Sequence, residues 1–159
     1  MTDARFEDGA ERPLRLIARD AEELPVMSAL LQDAVFTAAD VRWSRKRRRV
    51  DILVNRFRWE DRVAAERAGR PYERVRAVLT VQDVTTLATQ GVRPGDKDSV
   101  LSALALEFTP GADGTGVLVL VLAGDGALRL DVECVDVMLS DVTRPYRAPS
   151  GKVPSHPEG

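Results

Sequence analysis

The sequence contains a single cysteine, Cys134, and a single histidine, His156. One thiol excludes an intramolecular disulfide, and one thiol with one imidazole excludes a zinc site of the usual Cys/His type. A histidine triad or general base is not expected, because His156 lies in a Pro- and Gly-rich tail. Cys134 is expected to be a buried strand thiol without a histidine partner. We predict no catalytic residue, metal or cofactor, and we favour a protein that is not an enzyme.

Aromatic residues make up only 5% of the chain, so the core must be built from Val, Leu, Ile and Ala. Long apolar runs are also missing, and the longest, residues 117–123, is too short to cross a bilayer. The polar, acidic N-terminus lacks the basic and apolar regions of a signal peptide. These features predict a cytoplasmic protein with no membrane span.

The charges are unevenly distributed, although the net charge of the whole chain is only −2. Residues 42–76 contain 13 Arg and Lys against 5 Asp and Glu, a balance of +8 that leaves −10 for the remainder. Such asymmetry within one domain predicts a polar molecule with one basic face and one acidic face.

Seven stretches have strand patterns, and one has the periodicity of a helix. The strands are predicted at residues 14–18, 34–43, 48–59, 74–87, 100–108, 117–122 and 127–139. The helix is predicted at residues 21–31, with Asp20 as its N-cap and Pro25 confined to an irregular first turn, so that the true helix begins near Leu24. The apolar alternation shifts by one residue near Cys134, which predicts a strand end or a β-bulge there. Residues 60–73 are predicted to be a mobile loop with one helical turn at 62–68.

These elements indicate an α+β fold with a strongly twisted, mainly antiparallel sheet of seven strands and one N-terminal helix. Short links favour antiparallel neighbours, and partial closure into a barrel would protect the sheet edges. A pleckstrin-homology-like barrel is one named alternative. The domain is predicted to span residues 14–144, between disordered tails at 1–13 and 145–159.

Three blocks of the sequence occur in a familiar order and spacing. They are LLQDAV at residues 30–35, NRFRWE at 55–60 and AGDGALRLDVEC at 123–134. Together they resemble an uncharacterised bacterial family, a conserved domain of unknown function, over residues 14–146. The resemblance implies a complete single-domain, cytoplasmic protein, and it supplies no activity and no catalytic residues that could be carried over.

The hairpin predicted at residues 42–58 holds the densest positive charge in the chain. Arg45, Arg47, Arg48 and Arg49 at its tip, with aromatic residues nearby, could bind phosphates through ionic and stacking contacts. The alternative is a solvated tip whose charges protect a strand edge against aggregation. The sequence pI of about 5.5 argues against a dedicated nucleic-acid binder.

The end of the same hairpin is the first place where we expect a site. Asn55 shares a strand face with apolar neighbours, and a buried Asn needs hydrogen-bond partners, so it either ties a neighbouring loop or lines a pocket. Trp59 either stacks on a ligand or closes one end of the core. We predict that Asn55, Arg56, Arg58 and Trp59 meet the 60–73 segment and form the principal candidate binding site.

Three functions are compatible with these features. The favoured one is a non-enzymatic module that binds an unknown protein partner or associates with itself. The second is a phosphate- or RNA-binding module that uses the basic hairpin. The third is a small-molecule enzyme using carboxylates and Arg, which requires a pocket that gathers Asn55, Arg56 or Glu133. The acidic residues of strand 127–139 are otherwise expected to pair with basic residues near 74–76.

Overall fold

Eleven strands and two α-helices make up the computed structural model, which describes residues 13–149 and 152–154. The helices are α1 (Leu24–Leu31) and α2 (Arg62–Ala68). The strands are β1 (Arg15–Ala18), β2 (Val35–Thr37), β3 (Val41–Ser44), β4 (Arg49–Phe57), β5 (Glu73–Val81), β6 (Val84–Gln90), β7 (Val100–Pro110), β8 (Gly116–Leu122), β9 (Ala127–Val132), β10 (Val137–Asp141) and β11 (Tyr146–Arg147). Single 3₁₀ turns lie at Ala21–Glu23, Ala38–Asp40, Trp59–Asp61 and Ala112–Gly114.

The count differs from the predicted seven strands because three of the predicted strands are each divided in two. Between β2 and β3, the Asp40 carboxylate accepts the backbone N–H of Thr37 at 2.9 Å and stabilises a 3₁₀ turn. Between β5 and β6, Asp83 has a φ of 57°, which extended backbone does not allow. The break predicted near Cys134 is confirmed, since β9 ends at Val132 and β10 begins at Val137.

The eleventh strand, β11, lies in the stretch that was predicted to be a disordered tail from residue 145. Tyr146 pairs with Arg74 of β5. Ala148 is buried, and its N–H donates to the carbonyl of Tyr72 at 2.8 Å. The prediction is therefore wrong for residues 145–149, because β5 is longer than β10 and leaves part of its edge open for β11. The predicted tail at 1–13 lies outside the described residues except for Pro13.

The predicted N-terminal helix has the expected start. Asp20 accepts the N–H of Glu23 at 3.1 Å, and the α-helical part begins at Leu24 with Pro25 in its first turn. The helical turn predicted at 62–68 is confirmed as α2, and the expectation of a single helix is therefore wrong. Gly69, with a φ of 64°, ends α2 in the left-handed conformation that glycine adopts at low cost.

All strand pairs are antiparallel, in the order β1-β10-β5-β4-β2-β7-β8-β9-β6, with β3 also on β4 and β11 also on β5. The end strands β1 and β6 do not pair with each other among the described residues, so the sheet is not closed into a barrel. The mainly antiparallel α+β fold is confirmed, whereas the pleckstrin-homology-like alternative stays a prediction.

The sheet consists of two halves that enclose one core. The first half-sheet is β1, β10, β5, β4, β3, β2 and β11, and the second half-sheet is β7, β8, β9 and β6. The chain crosses between them at the β5–β6 and β9–β10 links. Buried side chains from both halves and from α1 belong to one cluster, which includes Met27, Leu31, Ile52, Leu79, Leu139, Leu118, Leu120 and Leu130. Each half-sheet therefore keeps one face on the core and turns the other outward.

The edge of β7 that does not pair with β8 is covered by β2, by the turn after α1 and by α1 itself. The N–H of Asp33 donates to the carbonyl of Ala103, and the N–H of Ala103 donates to the carbonyl of Ala34, both at 2.8 Å. Further along, the N–H of Leu106 donates to the Ser28 hydroxyl at 2.9 Å. These bonds satisfy the backbone of β7 on this edge and hold the second half-sheet in place.

Candidate functional site

Strand β4 carries both groups of predicted binding residues, but at its opposite ends. It has nine residues, and a strand advances by about 3.3 Å per residue, so its ends lie roughly 26 Å apart. Arg45, Arg47, Arg48 and Arg49 lie at or beside the β3–β4 turn, whereas Asn55, Arg56, Arg58 and Trp59 lie at the other end. The structure does not bring the two groups into one site.

Arg56 continues the core-facing row of β4. The strand alternates, so that Val50, Ile52 and Val54 face the core, and Arg56 follows them with a fully buried side chain. Asn55 faces the opposite side of the sheet. The two adjacent residues of the predicted site therefore point in opposite directions.

The buried guanidinium of Arg56 is held by two carboxylates. It donates to Asp141 from Nε and Nη2 at 3.1 and 3.0 Å. It also donates to Glu60 from Nη1 and Nη2 at 2.9 and 2.7 Å. In the strand register Asp141 pairs with Ala77, which pairs in turn with Val54 of β4. The ion pair therefore spans β5, the strand between β4 and β10.

Hydrogen bonding between Arg56 and Glu60 shifts the pKa values of both groups. Burial acts to lower the pKa of Arg56, but the hydrogen bonds to Glu60 and Asp141 outweigh burial and raise it. Burial acts to raise the pKa of Glu60, and the hydrogen bond from Arg56 brings it below its ordinary value. Both shifts favour the charged forms of Arg56 and Glu60, which is the physical basis of their ion pair.

A second set of ion pairs fixes the segment that follows. Arg70 donates to both oxygens of Asp61 at 2.6 and 2.7 Å, and Arg58 donates to Glu73 at 2.6 Å. The hydrogen bond from Arg70 lowers the pKa of Asp61. Residues 60–73 were predicted to be a mobile loop with one helical turn at 62–68. They contain the end of a 3₁₀ turn and helix α2, and ion pairs connect them to Glu73 at the start of β5. We name these ion pairs, with those of Arg56, the arginine network: Arg56, Arg58, Arg70, Glu60, Asp61, Glu73 and Asp141.

Asn55 ties neighbouring strands to one another. Its side-chain oxygen accepts from Nε of Arg74 at 2.7 Å, and its Nδ2 donates to the hydroxyl of Tyr146. Arg74 also donates to the carbonyls of Asn55 and Asp33 at 2.9 and 3.2 Å. Burial lowers the pKa of Arg74. The amide of Asn55 therefore joins β4, β5 and β11.

Both tryptophan side chains make contacts within the protein. Trp59 donates Nε1 to the carbonyl of Gln32 at 2.9 Å, just after α1, and its ring meets Phe57 edge-on at 4.7 Å. Trp43 packs against the core from β3. These contacts attach the start of α2 and the base of the hairpin to the core.

The basic side chains at the hairpin tip differ in whether they form ion pairs within the described residues. Arg48 forms an ion pair with Glu133, and Arg49 lies 3.0 Å from Asp51. Arg45, Lys46 and Arg47 are exposed and form no ion pair with any residue that the structure describes. Glu133 was expected to pair near residues 74–76, but the fold places it beside the tip instead.

Cys134 does not lie where it was predicted. It is exposed, because β9 has ended two residues earlier. Its thiol donates to Asp83 at 3.2 Å, and this hydrogen bond raises the pKa of Cys134. His156 lies outside the described residues. Within those residues, no three His, Cys, Asp or Glu side chains form a group that could hold a metal ion.

The depressions on the described part of the chain include three shallow ones, of about 250, 270 and 330 Å³. The second of these lies beside Asp141 and is otherwise lined by Pro13 and residues 142–145. None of the three is lined by Asn55, Arg56 or Glu133. These depressions therefore do not supply the pocket that the enzyme hypothesis requires.

The outer face of the second half-sheet is a feature that sequence reasoning missed. Strand β8 was predicted to be buried on both faces because it is continuously apolar. Leu118, Leu120 and Leu122 are indeed buried, but the alternate residues Val117, Val119 and Val121 are only partly buried and do not pack against the core. The alternation of charged and apolar residues on β9 was the available signal that this face is turned outward.

The three valines form a column between two polar strands. In register with Val119 are Glu107 on β7 and Arg129 on β9. Both charged side chains are exposed. We name this surface the valine face. It comprises the outward residues of four strands: Ala105, Glu107 and Thr109 on β7, Val117, Val119 and Val121 on β8, Ala127, Arg129 and Asp131 on β9, and Thr86, Ala88 and Gln90 on β6.

Residues 14–156 match the model of a family described as Protein of unknown function (DUF2948). The chain belongs to this family. The prediction of a conserved domain of unknown function is thereby confirmed. The DUF2948 match includes both the arginine network and the valine face. No curated protein and no solved structure matches the chain. No helix in the described part of the chain is long and apolar enough to cross a membrane.

Proposed function

We propose that this DUF2948 domain is a non-enzymatic protein-binding module and that its binding surface is the valine face. The observation that supports this proposal most strongly is the column of Val117, Val119 and Val121, which lies partly exposed in the middle of a four-stranded face. Contiguous exposed apolar surface rimmed by polar residues is typical of interaction sites. The three valines are already partly buried, so covering them removes their remaining apolar surface from water, and this favours association at about 25 cal/mol per Å².

The strand at the edge of the valine face, β6, also supports a role in protein binding. Strand β6 ends the sheet, and beyond Val84 its outer edge pairs with no strand among the described residues. Its sequence, VTTLATQ, contains neither a charged residue nor a proline. Exposed edge strands usually carry such residues because they discourage pairing with another chain. An edge without them is suited to contact with a partner.

The charged residues that could perform chemistry have structural partners instead. Arg56 and Asp141 neutralise each other in the interior, and Arg70 and Asp61 form a bidentate pair. The cost of burying these charges is offset only while the pairs stay intact, which disfavours their use in a reaction cycle. We therefore favour binding over catalysis.

A photo-crosslinking residue at position 119 tests the proposed function in the native cell. We expect a discrete protein adduct from position 119 after illumination. A matched probe at Val142, which is 54% exposed but lies outside the valine face, is expected to give none. The proposal fails when position 119 gives no adduct, or when both positions give the same adducts.

A second candidate function is phosphate binding at the hairpin tip. Its support is that Arg45, Lys46 and Arg47 are exposed and have no acidic partner in the described part of the chain. Replacing these three by Ser should abolish binding of a labelled single-stranded RNA, while replacing the paired Arg48 and Arg49 should affect binding less. With three phosphate contacts, log K should fall with log salt at a slope of about −2. Binding that is independent of salt, or equal in the triple variant, eliminates this candidate.

A further inference from the structure

We infer that the partner of the valine face is a second copy of this chain, bound face to face about a two-fold axis that runs along β8. This inference rests on the proposed function, because it names the partner of the same surface. It is supported by the arrangement of charges on the two sides of the valine column.

The valine face has three rows, each centred on one valine. Val119 lies between Glu107 on β7 and Arg129 on β9. The remaining rows are Ala105, Val121 and Ala127 on one side of this row and Thr109, Val117 and Asp131 on the other. One flank therefore carries a negative charge at its centre, and the opposite flank carries a positive charge at the same level.

A two-fold axis along β8 exchanges the flanks and leaves the valine column in place. Glu107 of one copy then lies opposite Arg129 of the other, and the pair occurs twice. The same operation places Ala105 of one copy opposite Ala127 of the other. It also places the Thr109 hydroxyl, a hydrogen-bond donor, opposite the Asp131 carboxylate, an acceptor. Each valine faces the same valine of the second copy. The surface is self-complementary, as a two-fold interface requires.

The other two-fold arrangement within the interface plane is unfavourable. An axis perpendicular to the strands would place Glu107 against Glu107 and Arg129 against Arg129. Like charges facing each other across an interface are strongly disfavoured. The charge pattern thus selects the axis along β8.

Glu107 has an unused charge for this contact. It is exposed and forms no ion pair with the residues that the structure describes. Arg129 has its Nε 3.4 Å from Asp131 and a side chain that is 61% exposed, so it is accessible to a second copy. Packed sheets lie about 10 Å apart, a distance that a Glu and an Arg side chain can bridge together.

The size of the face predicts a weak dimer. The axis along β8 overlaps three strands of each copy, β7, β8 and β9. With a strand spacing of about 4.8 Å and a strand length of about 23 Å, the contact measures roughly 14 by 23 Å. That is below the ~800 Å² per partner of a standard stable interface. We therefore expect dissociation constants in the micromolar range or weaker, so the chain exchanges between monomer and dimer.

Sedimentation velocity of the full chain, from about 1 µM to about 1 mM, tests the inference. The wild type should shift from the 17.5-kDa monomer toward twice that mass as concentration rises. Glu107→Arg and Arg129→Glu should each weaken association by about tenfold or more, because each places like charges opposite each other twice. The double variant should restore it. Arg67→Glu, an exposed substitution on α2, is the control and should leave association unchanged.

Two results of this experiment would contradict the inference, and each excludes a different part of it. A wild type that stays monomeric over the whole range overturns the self-association inference. It leaves the proposed function standing if position 119 still forms an adduct with a different protein. Dimers that persist in both single charge variants overturn the assigned surface and axis. Circular dichroism of every variant confirms that a loss of association is not a loss of folding.

Discussion

Arg56 on β4 and Asp141 at the end of β10 are 85 residues apart in sequence and form an ion pair in the interior, with two hydrogen bonds of 3.1 and 3.0 Å. Their side chains are 0% and 4% exposed. The pair spans β5, which lies between the two strands. Asp141 also accepts the backbone N–H of Leu14 at 2.9 Å. One carboxylate therefore connects three parts of the first half-sheet.

Removing one partner of this pair should destabilise the fold strongly. Arg56→Met leaves the buried carboxylate of Asp141 without its cation, and breaking a buried pair costs about 3–5 kcal/mol in the free energy of unfolding. Urea denaturation measures this change. Arg45→Met removes an exposed cation and should change the free energy by no more than about 0.5 kcal/mol.

A double-mutant cycle separates the ion pair from the other contacts of Arg56. Asp141→Asn combined with Arg56→Met should cost less than the sum of the two single substitutions, because the buried carboxylate of Asp141 is then no longer left without its cation. Additive costs would show that the pair contributes no coupling and that the interpretation of the network is wrong.

The stability of the arginine network should fall in acid. Glu60 and Asp61 have pKa values lowered below their ordinary values by Arg56 and Arg70. A lowered folded-state pKa gives stability that is present above the unfolded pKa and is lost as pH falls through the folded pKa. Glu60→Gln should therefore flatten the decline of unfolding free energy as the pH falls below about 5, near the unfolded pKa of a glutamate. Glu22→Gln, on an exposed turn, serves as the matched control. A decline that is unchanged in the Glu60 variant would exclude this contribution.

The amide of Asn55 should be needed for the order of β11. Asn55→Ala leaves the half-buried Nε of Arg74 without its side-chain acceptor, which costs about 1–3 kcal/mol. Hydrogen exchange at the N–H of Ala148, which is bonded to Tyr72, should accelerate. Tyr146→Phe removes only the hydroxyl and should have a smaller effect, about 0.5–1.5 kcal/mol. Unchanged exchange in Asn55→Ala would show that β11 is held by its backbone alone.

Much of the secondary structure follows from local pattern. The start of α1 near Leu24 and the strand break near Cys134 were predicted correctly, because caps, proline position and side-chain alternation are encoded over a few residues. The break at Asp83 was missed because a positive φ at Asp leaves little trace in hydrophobic periodicity. The prediction of disorder was wrong for residues 145–149, because this segment is ordered by pairing with β5, which is distant in sequence.

The candidate site could be predicted only in part. The block from Asn55 to Trp59 was singled out, but the partner of Arg56 is Asp141, and that pairing depends on strand order rather than on spacing. The valine face was missed for a related reason. Alternation shows that a strand has two faces, yet a continuous apolar run such as β8 does not tell which face is covered.

The central claim is that the valine face of one copy packs against the valine face of a second copy. Intermolecular contacts at Val119 test this claim most directly. Equimolar methyl-labelled and unlabelled chains are mixed at high concentration, and isotope-filtered NMR detects methyl contacts between copies. The two-fold arrangement predicts contacts at the methyls of Val117, Val119 and Val121, and none at Leu53 or Val78 on the outer face of the first half-sheet. Intermolecular contacts that are absent from the three valines, or that occur at Leu53 and Val78 instead, would contradict it.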